Sequence, residues 1–464
     1  MDTRVEKFLN SMNGKKIAFC GIGRSNLPLV ALFKKYGACI TVCDRKERSA
    51  FSQDVLESVE KTGASLKFGE DYLKNLDIDI LFRTPGMYFN QPILQEFIKK
   101  GVVVTSEMEV FFDICPCKIY AITGTDGKTT TTTIVSKVLE KAGKKVFLGG
   151  NIGTPLLPLI EQMTADDVAV VELSSFQLIS MRKSPDISAV TNIFEDHMNV
   201  HKDMAEYIGA KINILSHQNA FSRTVLNMDN EETKKLSSLV RGKLIYFSRK
   251  QKPETGAYLS HDGYLCYTEN GKTEKIIHKD EIKIPGLHNV ENYLTAIAVL
   301  HGDVENDCFV SVANEFGGVE HRIEFVRELD GVRYYNDSIA TSPASVTAGL
   351  KAFGKKVIII AGGSDKQLDY TTLSGAINKY VKVLILLGET AEKIKKAVVE
   401  DKTYNQNEIK IIDADTLENA VNIARENAVL GDVISLSPAS ASFDKYKDFE
   451  ERGRHFKKVV KDLK

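Results

Sequence analysis

Short apolar runs alternate with amphipathic stretches along most of the chain, and this alternation predicts an α/β fold built on parallel sheets. The apolar runs have the length of strands, whereas the stretches between them repeat apolar residues at helical spacing. The predicted strands lie at residues 17–20, 40–43, 78–82, 102–105, 119–123, 168–171, 189–193, 357–361, 383–387, 409–412 and 433–436. Residues 240–285, rich in Gly, Tyr and Lys, predict additional antiparallel strands.

The length of the chain predicts more than one domain. Its 464 residues are too many for one ordinary hydrophobic core. A new strand–helix unit begins near residue 115 and another near residue 319. We therefore predict three domains, at residues 1–114, 115–318 and 319–464.

Composition narrows the class of protein. A formal net charge of −1, with 43% hydrophobic and 27% charged residues, is typical of a soluble globular protein and predicts neither nucleic-acid nor membrane binding. The first residues show no signal-peptide pattern, and no apolar run reaches the ~20 residues that span a bilayer. Seven scattered Cys residues fit reduced thiols, so we expect a cytoplasmic protein. Cys115 and Cys117 lack the second pair that is typical of a zinc site.

The sharpest motif is a glycine-rich loop, Gly124-Thr125-Asp126-Gly127-Lys128-Thr129-Thr130, between an apolar strand and an amphipathic helix. Its glycines let backbone N–H groups converge on phosphate oxygens, and a helix N-terminus adds positive potential. Lys128 is expected to neutralise the β- and γ-phosphates, and Thr129 to offer its hydroxyl to Mg²⁺. The spacing is shorter than in the common nucleotide-binding motif, and the alternative is a plain glycine turn.

Three further residues in the same region are candidates for metal chemistry. Glu172 ends a predicted strand, where parallel folds hold Mg²⁺ through a carboxylate, and a surface acid is the alternative. His197 also follows a strand, and its spacing to His201 leaves a zinc pair as an alternative. Lys211 lies on a predicted helix at 204–215 and by itself is typical of a solvated lysine.

The N-terminal strands end in two turns that suit a nucleotide. The first is Gly21-Ile22-Gly23-Arg24-Ser25-Asn26, and Asp44 ends the next strand, which resembles a dinucleotide-binding fingerprint with an acid about 20 residues on. Asn26 occupies the third glycine position, so a nucleotide diphosphate fits, with NAD as the alternative. Thr84-Pro85-Gly86 either closes over the same ligand or is only a turn.

Together these motifs resemble the Mur ligase family, in order and over essentially the whole chain. The matching segments are GIGRSN, RTPG, GTDGKTTTTT, GGNIGTP, ELSSFQL, NIFEDHMNVH, YIGAK, PGLHNVENYLTA, EHRIE, YNDSIATSP, GGSDK and LSPASASFDKYKDFEERG. The last of these is similar to the tail of the family's D-glutamate-adding members. The resemblance implies a Rossmann-like N-terminal domain for a UDP-sugar, a central P-loop domain with a parallel sheet for ATP, and a Rossmann-like C-terminal domain for the amino acid.

The resemblance also implies roles for individual residues. The expected UDP-sugar contacts are Gly23, Ser25, Asn26, Asp44, Gly86 and Asn151. The expected ATP contacts, beside the loop from Gly124 to Thr130, are Asn289, Asn292, Arg322 and Asp337. Mg²⁺ would be held by Thr129 and Glu172 and, at a second position, by His197 and a carbamylated Lys211, so that Lys128, His197 and Lys211 form the catalytic set. The expected D-glutamate contacts are Thr341, Lys366, Ser442 and Phe449.

The implied activity is ATP-dependent addition of D-glutamate to UDP-N-acetylmuramoyl-L-alanine in cytoplasmic peptidoglycan precursor synthesis. The donor carboxylate would attack ATP to form an acyl phosphate, and the glutamate amine would then attack its carbonyl carbon and displace phosphate. We expect ATP and two Mg²⁺ ions as cofactors, small molecules as partners, and a monomer. The alternatives are a folylpolyglutamate-type ligase, another Mur ligase with a different acceptor, a dehydrogenase and a non-catalytic nucleotide sensor.

One departure from the family pattern concerns the acceptor. Ile339 stands in Asp337-Ser338-Ile339-Ala340-Thr341-Ser342 where many relatives have lysine. Because Ile339 supplies no cation, we expect Lys366 to provide more of the attraction for the glutamate carboxylate. The alternative is that Lys366 is a solvated loop lysine.

Overall fold

The N-terminal part of the chain forms a sheet with flanking helices in the computed structural model, which describes residues 2–23, 25–198 and 200–464. Its strands are Lys16–Cys20 (β1), Cys39–Asp44 (β2), Ser65–Phe68 (β3), Ile80–Phe82 (β4) and Val103–Thr105 (β5). Its α-helices are Thr3–Asn10 (α1), Leu27–Lys35 (α2), Gln53–Glu60 (α3), Pro92–Lys99 (α4) and Glu107–Ile114 (α5). All five strands are parallel, in the order β3-β2-β1-β4-β5, so the turns after β1 and β4 are neighbours.

The central part forms a nine-stranded sheet. Its strands are Lys118–Thr123 (β6), Val146–Gly150 (β7), Val168–Glu172 (β8), Ile187–Val190 (β9), Arg223–Asn227 (β10), Lys243–Ser248 (β11), Gly256–Leu259 (β12), Tyr264–Glu269 (β13) and Lys272–His278 (β14). Its α-helices are Lys128–Lys141 (α6), Ser175–Leu178 (α7), Met204–Ile212 (α8), Glu231–Lys235 (α9), Leu287–Leu300 (α10) and Asn306–Glu315 (α11).

The strand order of this central sheet is β14-β13-β12-β11-β10-β9-β6-β8-β7. Pairing is parallel from β7 to β12 and antiparallel between β12, β13 and β14. The antiparallel prediction for residues 240–285 is therefore confirmed for β12 to β14 and wrong for β11. The crossover through α9 brings β11 back alongside β10 in the same direction, as a helix between two strands usually does.

The C-terminal part forms a six-stranded sheet in the order β15-β16-β20-β17-β18-β19. Its strands are Glu324–Leu329 (β15), Val332–Asn336 (β16), Val357–Ala361 (β17), Val381–Leu386 (β18), Lys410–Asp413 (β19) and Val433–Leu436 (β20). Its α-helices are Pro343–Phe353 (α12), Thr371–Tyr380 (α13), Ala391–Val399 (α14), Leu417–Glu426 (α15) and Phe449–Asp462 (α16). Within this sheet β15 and β16 pair antiparallel, and the other neighbouring strands pair parallel. Short 3₁₀ turns lie at Arg48–Ala50, Leu157–Gln162, Leu236–Leu239 and Lys279–Glu281.

The predicted α/β class with mainly parallel sheets is confirmed. Every residue of β8 and of β17 is buried, as expected for strands covered on both faces. The chain divides into two compact units, Met1–His278 with Glu291–Val312 and Lys279–Val290 with Ala313–Lys464. The first unit holds the N-terminal and central sheets. None of the helices in the described ranges has the length and apolar character that crossing a membrane requires.

Candidate active site

The carboxyl ends of neighbouring parallel strands collect the predicted site residues, which is where open α/β sheets bind ligands. In the central sheet β6 lies between β9 and β8, so the loops that follow these three strands meet. The glycine-rich loop follows β6, Glu172 ends β8, and the segment that leads to His197 follows β9. In the C-terminal sheet β20 lies between β16 and β17, which brings together the loops that hold Thr341, Ser442 and Lys366.

Two glycines of the loop occupy positions that no other residue would fill without strain. Gly124 has φ of +150°, and a Cβ there would lie 1.8 Å from the hydroxyl oxygen of Thr191. Gly127 precedes α6 with φ of +78°, and a Cβ there would lie 2.5 Å from the side-chain oxygen of Asn292. The chain therefore needs glycine at both positions to bring the loop this close to its neighbours.

The segment after β9 holds the glycine-rich loop in place. The backbone N–H of Thr125 donates to the carbonyl of Asn192 (2.9 Å), and that of Asp126 donates to the Asn192 side-chain oxygen (2.8 Å). The hydroxyl of Thr191 donates to the carbonyl of Asp126 (2.6 Å). The loop is thus shaped by the protein itself. Thr191 and Asn192 were absent from the predicted site, although polar residues directly after a strand beside the loop were the signal that identified Glu172.

Two lysine ammonium groups bind the same backbone carbonyl. Lys128 Nζ donates to the carbonyls of Gly124 (3.0 Å) and Thr125 (2.6 Å). Lys211 Nζ donates to the Gly124 carbonyl at 2.7 Å, and Lys211 is only 2% exposed. Burial first, and then the charge of Lys128, lower the pKa of Lys211 to about 7. The solvated alternative for Lys211 is therefore wrong, and its amine is poised to be neutral near neutral pH.

An aromatic ring packs against the amine of Lys211. Lys211 Nζ lies 4.6 Å from the centroid of the Tyr207 ring, one turn earlier on α8. The Tyr207 hydroxyl lies 3.0 Å from that of Thr125, so α8 is fixed to the loop at two points. No role was predicted for Tyr207, because its position on the helix is equally typical of an ordinary core residue.

Glu172 has one carboxylate oxygen bound and one available. It is 1% exposed, and Asn151 Nδ2 donates to its Oε1 at 2.7 Å. Its Oε2 is buried and has no hydrogen-bond partner in the part of the chain that the structure describes. A buried oxygen of this kind is costly unless a cation or donor satisfies it, so Glu172 fits a Mg²⁺ ligand. Thr129, in the first turn of α6, is half-buried.

The two histidines differ in their surroundings. The side chain of His197 is 48% exposed and lies beside Asp196, with 3.3 Å between Nε2 and Oδ2. His201 is buried, and its Nε2 lies 2.9 Å from the Ser175 hydroxyl. Both rings pack against Phe176, at 5.0 Å and 5.3 Å between centroids. Within the described ranges no three His, Cys, Asp or Glu side chains converge as metal ligands, so the zinc-pair alternative gains no support.

The two N-terminal turns lie against each other. A Cβ on Gly21 would lie 2.6 Å from the Thr84 methyl group. Asn26 is buried, and its Nδ2 donates to the Cys20 carbonyl at 2.8 Å. Asp44 accepts the backbone N–H of Ile22 at 2.9 Å and so shapes the first turn. Of the remaining predicted UDP-sugar residues nearby, Gly23 and Ser25 are half-buried and Gly86 is exposed.

The predicted adenine residues lie on α10, and both are buried. The side-chain oxygen of Asn292 accepts the Thr131 hydroxyl at 3.1 Å, next to the glycine-rich loop. Asn289 Nδ2 donates to the Pro285 carbonyl at 2.6 Å. These bonds fix the orientation of both amides, while their roles toward adenine stay predictions.

The predicted C-terminal residues differ strongly in burial. Asp337 is buried, accepts the backbone N–H of Ile323 at 3.1 Å, and has its pKa raised to about 7 by that burial. Arg322 is exposed. Lys366 is also exposed, with its Nζ 5.0 Å from the centroid of the Phe443 ring.

A buried arginine supports the loops of this region from behind. Arg452 on α16 donates to the backbone carbonyls of Ser338 (3.0 Å) and Ala441 (3.0 Å). These bonds hold the loops that carry Thr341 and Ser442. Phe449 begins α16 and accepts the Ser338 hydroxyl at its carbonyl (2.7 Å). Arg452 was absent from the predicted site, although the helical spacing that buries Phe456 also turns it inward.

Comparisons with known proteins found matching family domains and full-length relatives. The Mur ligase middle domain matches residues 122–300, and the Mur ligase, glutamate ligase domain matches residues 321–440. The UDP-N-acetylmuramoylalanine--D-glutamate ligase of Acetivibrio thermocellus is 47% identical over 468 residues, and the ligase of that name from Ruminiclostridium cellulolyticum is 44% identical over 470 residues. Each comparison covers 100% of both chains.

A solved structure shows the same fold. The UDP-N-acetylmuramate-alanine ligase of Thermotoga maritima matches with a TM-score of 0.58 at 19% identity, over 97% of this chain and 100% of that one. The fold, the shared domains and the full-length identity lead to one conclusion: the chain belongs to the Mur ligase family.

Proposed function

We propose that this chain joins D-glutamate to UDP-N-acetylmuramoyl-L-alanine at the expense of ATP, in the cytoplasmic synthesis of peptidoglycan precursors. One structural observation carries the chemistry: the glycine-rich loop, Glu172 and Lys211 meet at one edge of the central sheet. The choice of substrates is supported by the full-length relatives named D-glutamate ligases. The Rossmann-like and P-loop assignments, the domain bounds and the monomeric state belong to the same proposal.

The reaction requires activation of a poor acyl donor. A donor carboxylate oxygen attacks the γ-phosphorus of ATP, and ADP leaves. The amine of glutamate then attacks the acyl carbon, phosphate leaves and the nitrogen loses a proton. Lys128 exchanges the Gly124 and Thr125 carbonyls for phosphate oxygens and offsets the repulsion between two anions. The preformed loop supplies backbone N–H groups and the N-terminus of α6.

The proposal includes Mg²⁺ at this edge, held by Thr129 and Glu172 and at a second position by His197 and Lys211. When bound, Mg²⁺ neutralises phosphate charge. The unpartnered Oε2 of Glu172 supports the first position. The second requires an anion in place of the Lys211 ammonium, and a buried amine with a pKa of about 7 favours reaction with CO₂ to form a carbamate.

The acceptor is proposed to bind at the carboxyl ends of β16, β17 and β20. Lys366 attracts a glutamate carboxylate, and the hydroxyls of Thr341 and Ser442 add hydrogen bonds. Ile339 leaves this region without the cation that many relatives have. The assignments of Asn289, Asn292, Arg322 and Asp337 to ATP, and of the N-terminal turns with Asn151 to the UDP-sugar, complete the proposed site.

Release of ADP in the presence of UDP-N-acetylmuramoyl-L-alanine tests the function directly. We expect turnover with D-glutamate and little with L-lysine or diaminopimelate, whose side-chain ammonium would face Lys366 without a partner. The product mass should equal both substrates minus water. Turnover with a folate substrate in place of the nucleotide-sugar would favour the folylpolyglutamate-type alternative. Turnover with L-lysine above that with D-glutamate would overturn the acceptor assignment.

A further inference from the structure

A buried arginine closes the second N-terminal turn. Arg83 directly follows β4 and is 1% exposed. Its Nη1 donates to the Met87 carbonyl at 3.2 Å and, more weakly, to that of Thr84 at 3.5 Å. The guanidinium group therefore holds the turn that contains Gly86, one of the residues proposed to contact the UDP-sugar.

The other side of the same guanidinium group binds the central region. Arg83 Nη2 donates to the Phe176 carbonyl at 3.1 Å and to the Ser180 hydroxyl at 2.5 Å. Phe176 lies on α7, which follows Glu172, and its ring packs against both His197 and His201. One side chain thus connects the nucleotide-sugar turn with the helix whose ring supports a proposed metal ligand.

A second contact from the same segment reaches the neighbouring helix. The Tyr88 hydroxyl donates to Glu206 Oε1 on α8. Glu206 also accepts the backbone N–H of Lys202 at 2.9 Å and lies 3.4 Å from His201 Nδ1. The segment from Arg83 to Tyr88 is therefore bound to α8, which carries Lys211, and to α7, whose Phe176 ring packs against His197.

Burying the guanidinium group of Arg83 costs free energy that a purely structural link between the two regions does not require. Burial lowers the pKa of its guanidinium group, and Glu109 opposes this through its charge. Its Nε has no hydrogen-bond partner among the described residues, and the side chain lines a small cavity with Ser25 and Gln177. An apolar contact would join the two regions at lower cost, so the directed donors of arginine are what the site uses.

We propose that Arg83 and Tyr88 are positioning residues that couple nucleotide-sugar binding at the turn to the placement of His197 and Lys211. This inference rests on the proposed function. Binding of the nucleotide-sugar fixes the turn, and the contacts of the two side chains then fix α7 and α8, so that His197 and Lys211 are in position when the donor carboxylate binds. Neither residue needs to touch a reacting atom.

Steady-state kinetics of Arg83→Lys and Tyr88→Phe, with each substrate varied, test the coupling. Lysine keeps the charge but cannot bind four acceptors, so we expect Arg83→Lys to raise the KM for the nucleotide-sugar and lower kcat, by about 10–150-fold in kcat/KM. The KM values for ATP and D-glutamate should stay nearly constant. Tyr88→Phe should show the same pattern with a smaller change. Arg182→Lys, an exposed arginine beyond α7, is the matched control and should behave as wild type.

An equal rise in all three KM values, or wild-type kinetics in both variants, would overturn the coupling. Hydrogen exchange without ligands gives a second measurement that does not need activity. Arg83→Lys should speed exchange in residues 84–87 and 175–180 together, whereas faster exchange in only one segment contradicts the inference. If the wild type fails to use UDP-N-acetylmuramoyl-L-alanine, the proposed function is wrong and the exchange result alone decides on the coupling.

Discussion

The edge of the central sheet and the edge of the C-terminal sheet are built in different ways. At the edge of the central sheet two of the proposed charged groups are buried, Lys211 and Glu172, which are 2% and 1% exposed. At the C-terminal edge Arg452 and Asp337 are buried and Arg452 supports the loops, while Lys366 is exposed beside Phe443, itself 64% exposed. The first edge is organised before any ligand binds, and the second presents exposed side chains on a buried, hydrogen-bonded scaffold.

This difference predicts which kinetic constant each edge controls. Preorganised buried charge acts on the transition state, because it needs no rearrangement when charge develops. An exposed lysine is hydrated and contributes mainly when its partner binds. We therefore expect substitutions at the central edge to lower kcat and substitutions at the C-terminal edge to raise the KM for the acceptor.

The largest expected effect is that of Lys128→Ala. Loss of this preorganised charge should lower kcat by roughly 10²–10³-fold or more, while the protein remains folded. Lys137→Ala, an exposed lysine on the same helix, is the control. The measurement is ADP release together with thermal unfolding. Wild-type turnover in Lys128→Ala would contradict the expectation that the central edge controls kcat.

Lys211→Ala should also lose nearly all turnover, and added acetate should restore part of it, because a small carboxylate can take the place of a carbamate. The wild-type amine, with a pKa of about 7, becomes protonated as pH falls through 7 and then cannot hold a carbamate. We expect wild-type kcat to fall over that range and to respond to bicarbonate. The acetate-rescued variant should lack this bicarbonate response. Full wild-type activity in CO₂-depleted buffer, with an unmodified lysine by mass, would contradict the carbamate.

Lys366→Ala tests the other edge. Loss of a charge-assisted bond of about 1.5–3 kcal/mol corresponds to a rise of roughly 10–150-fold in the KM for D-glutamate. The KM for ATP should change little. Lys379→Ala on α13 serves as the control. If D-glutamate use is intact in Lys366→Ala, this lysine is the solvated loop residue of the alternative interpretation.

The smallest expected effect is that of Ile339→Lys, which restores the cation of many relatives. Ile339 is half-buried, and its N–H donates to the His321 carbonyl at 3.1 Å through the backbone, so the side chain can change without breaking this bond. An added surface attraction of about 0–1 kcal/mol corresponds to at most roughly a fivefold lower KM for D-glutamate. A large loss of stability in thermal unfolding would show that the position packs inward.

Sequence patterns predicted the continuously apolar strands, but they missed the interior strands β10 and β16 as well as some edge strands. Val357–Ala361 and Val433–Leu436 were predicted to the residue, because fully buried parallel strands are continuously apolar. The edge strands β3 and β15 were missed, because half-exposed residues such as those of Ser65–Phe68 leave no apolar run. The boundary near Ala189–Ile193 was shifted, because Ile193 is buried in a loop beyond the strand.

The predicted site shows the same limit. Residues at or just beyond the end of a strand, such as Glu172 and the glycine-rich loop, carry a signal in the local sequence. The burial of Lys211 leaves no such signal, because its Nζ binds the carbonyl of Gly124, which lies 87 residues earlier in the chain. The contact between Arg83 and Ser180 spans 97 residues and is likewise invisible to periodicity. The roles that the resemblance assigned to individual residues remain predictions for the experiments above.

The shared carbonyl of Gly124 sets a chemical requirement for inhibitors. Lys128 Nζ already has a good acceptor there, so a compound that offers only another neutral oxygen exchanges one bond for an equivalent one. A group must carry more negative charge than a peptide carbonyl to draw Lys128 away. Compounds that imitate only the purine avoid this exchange, whereas compounds that enter the loop need an acidic head, with the poorer membrane permeation that such a charge brings.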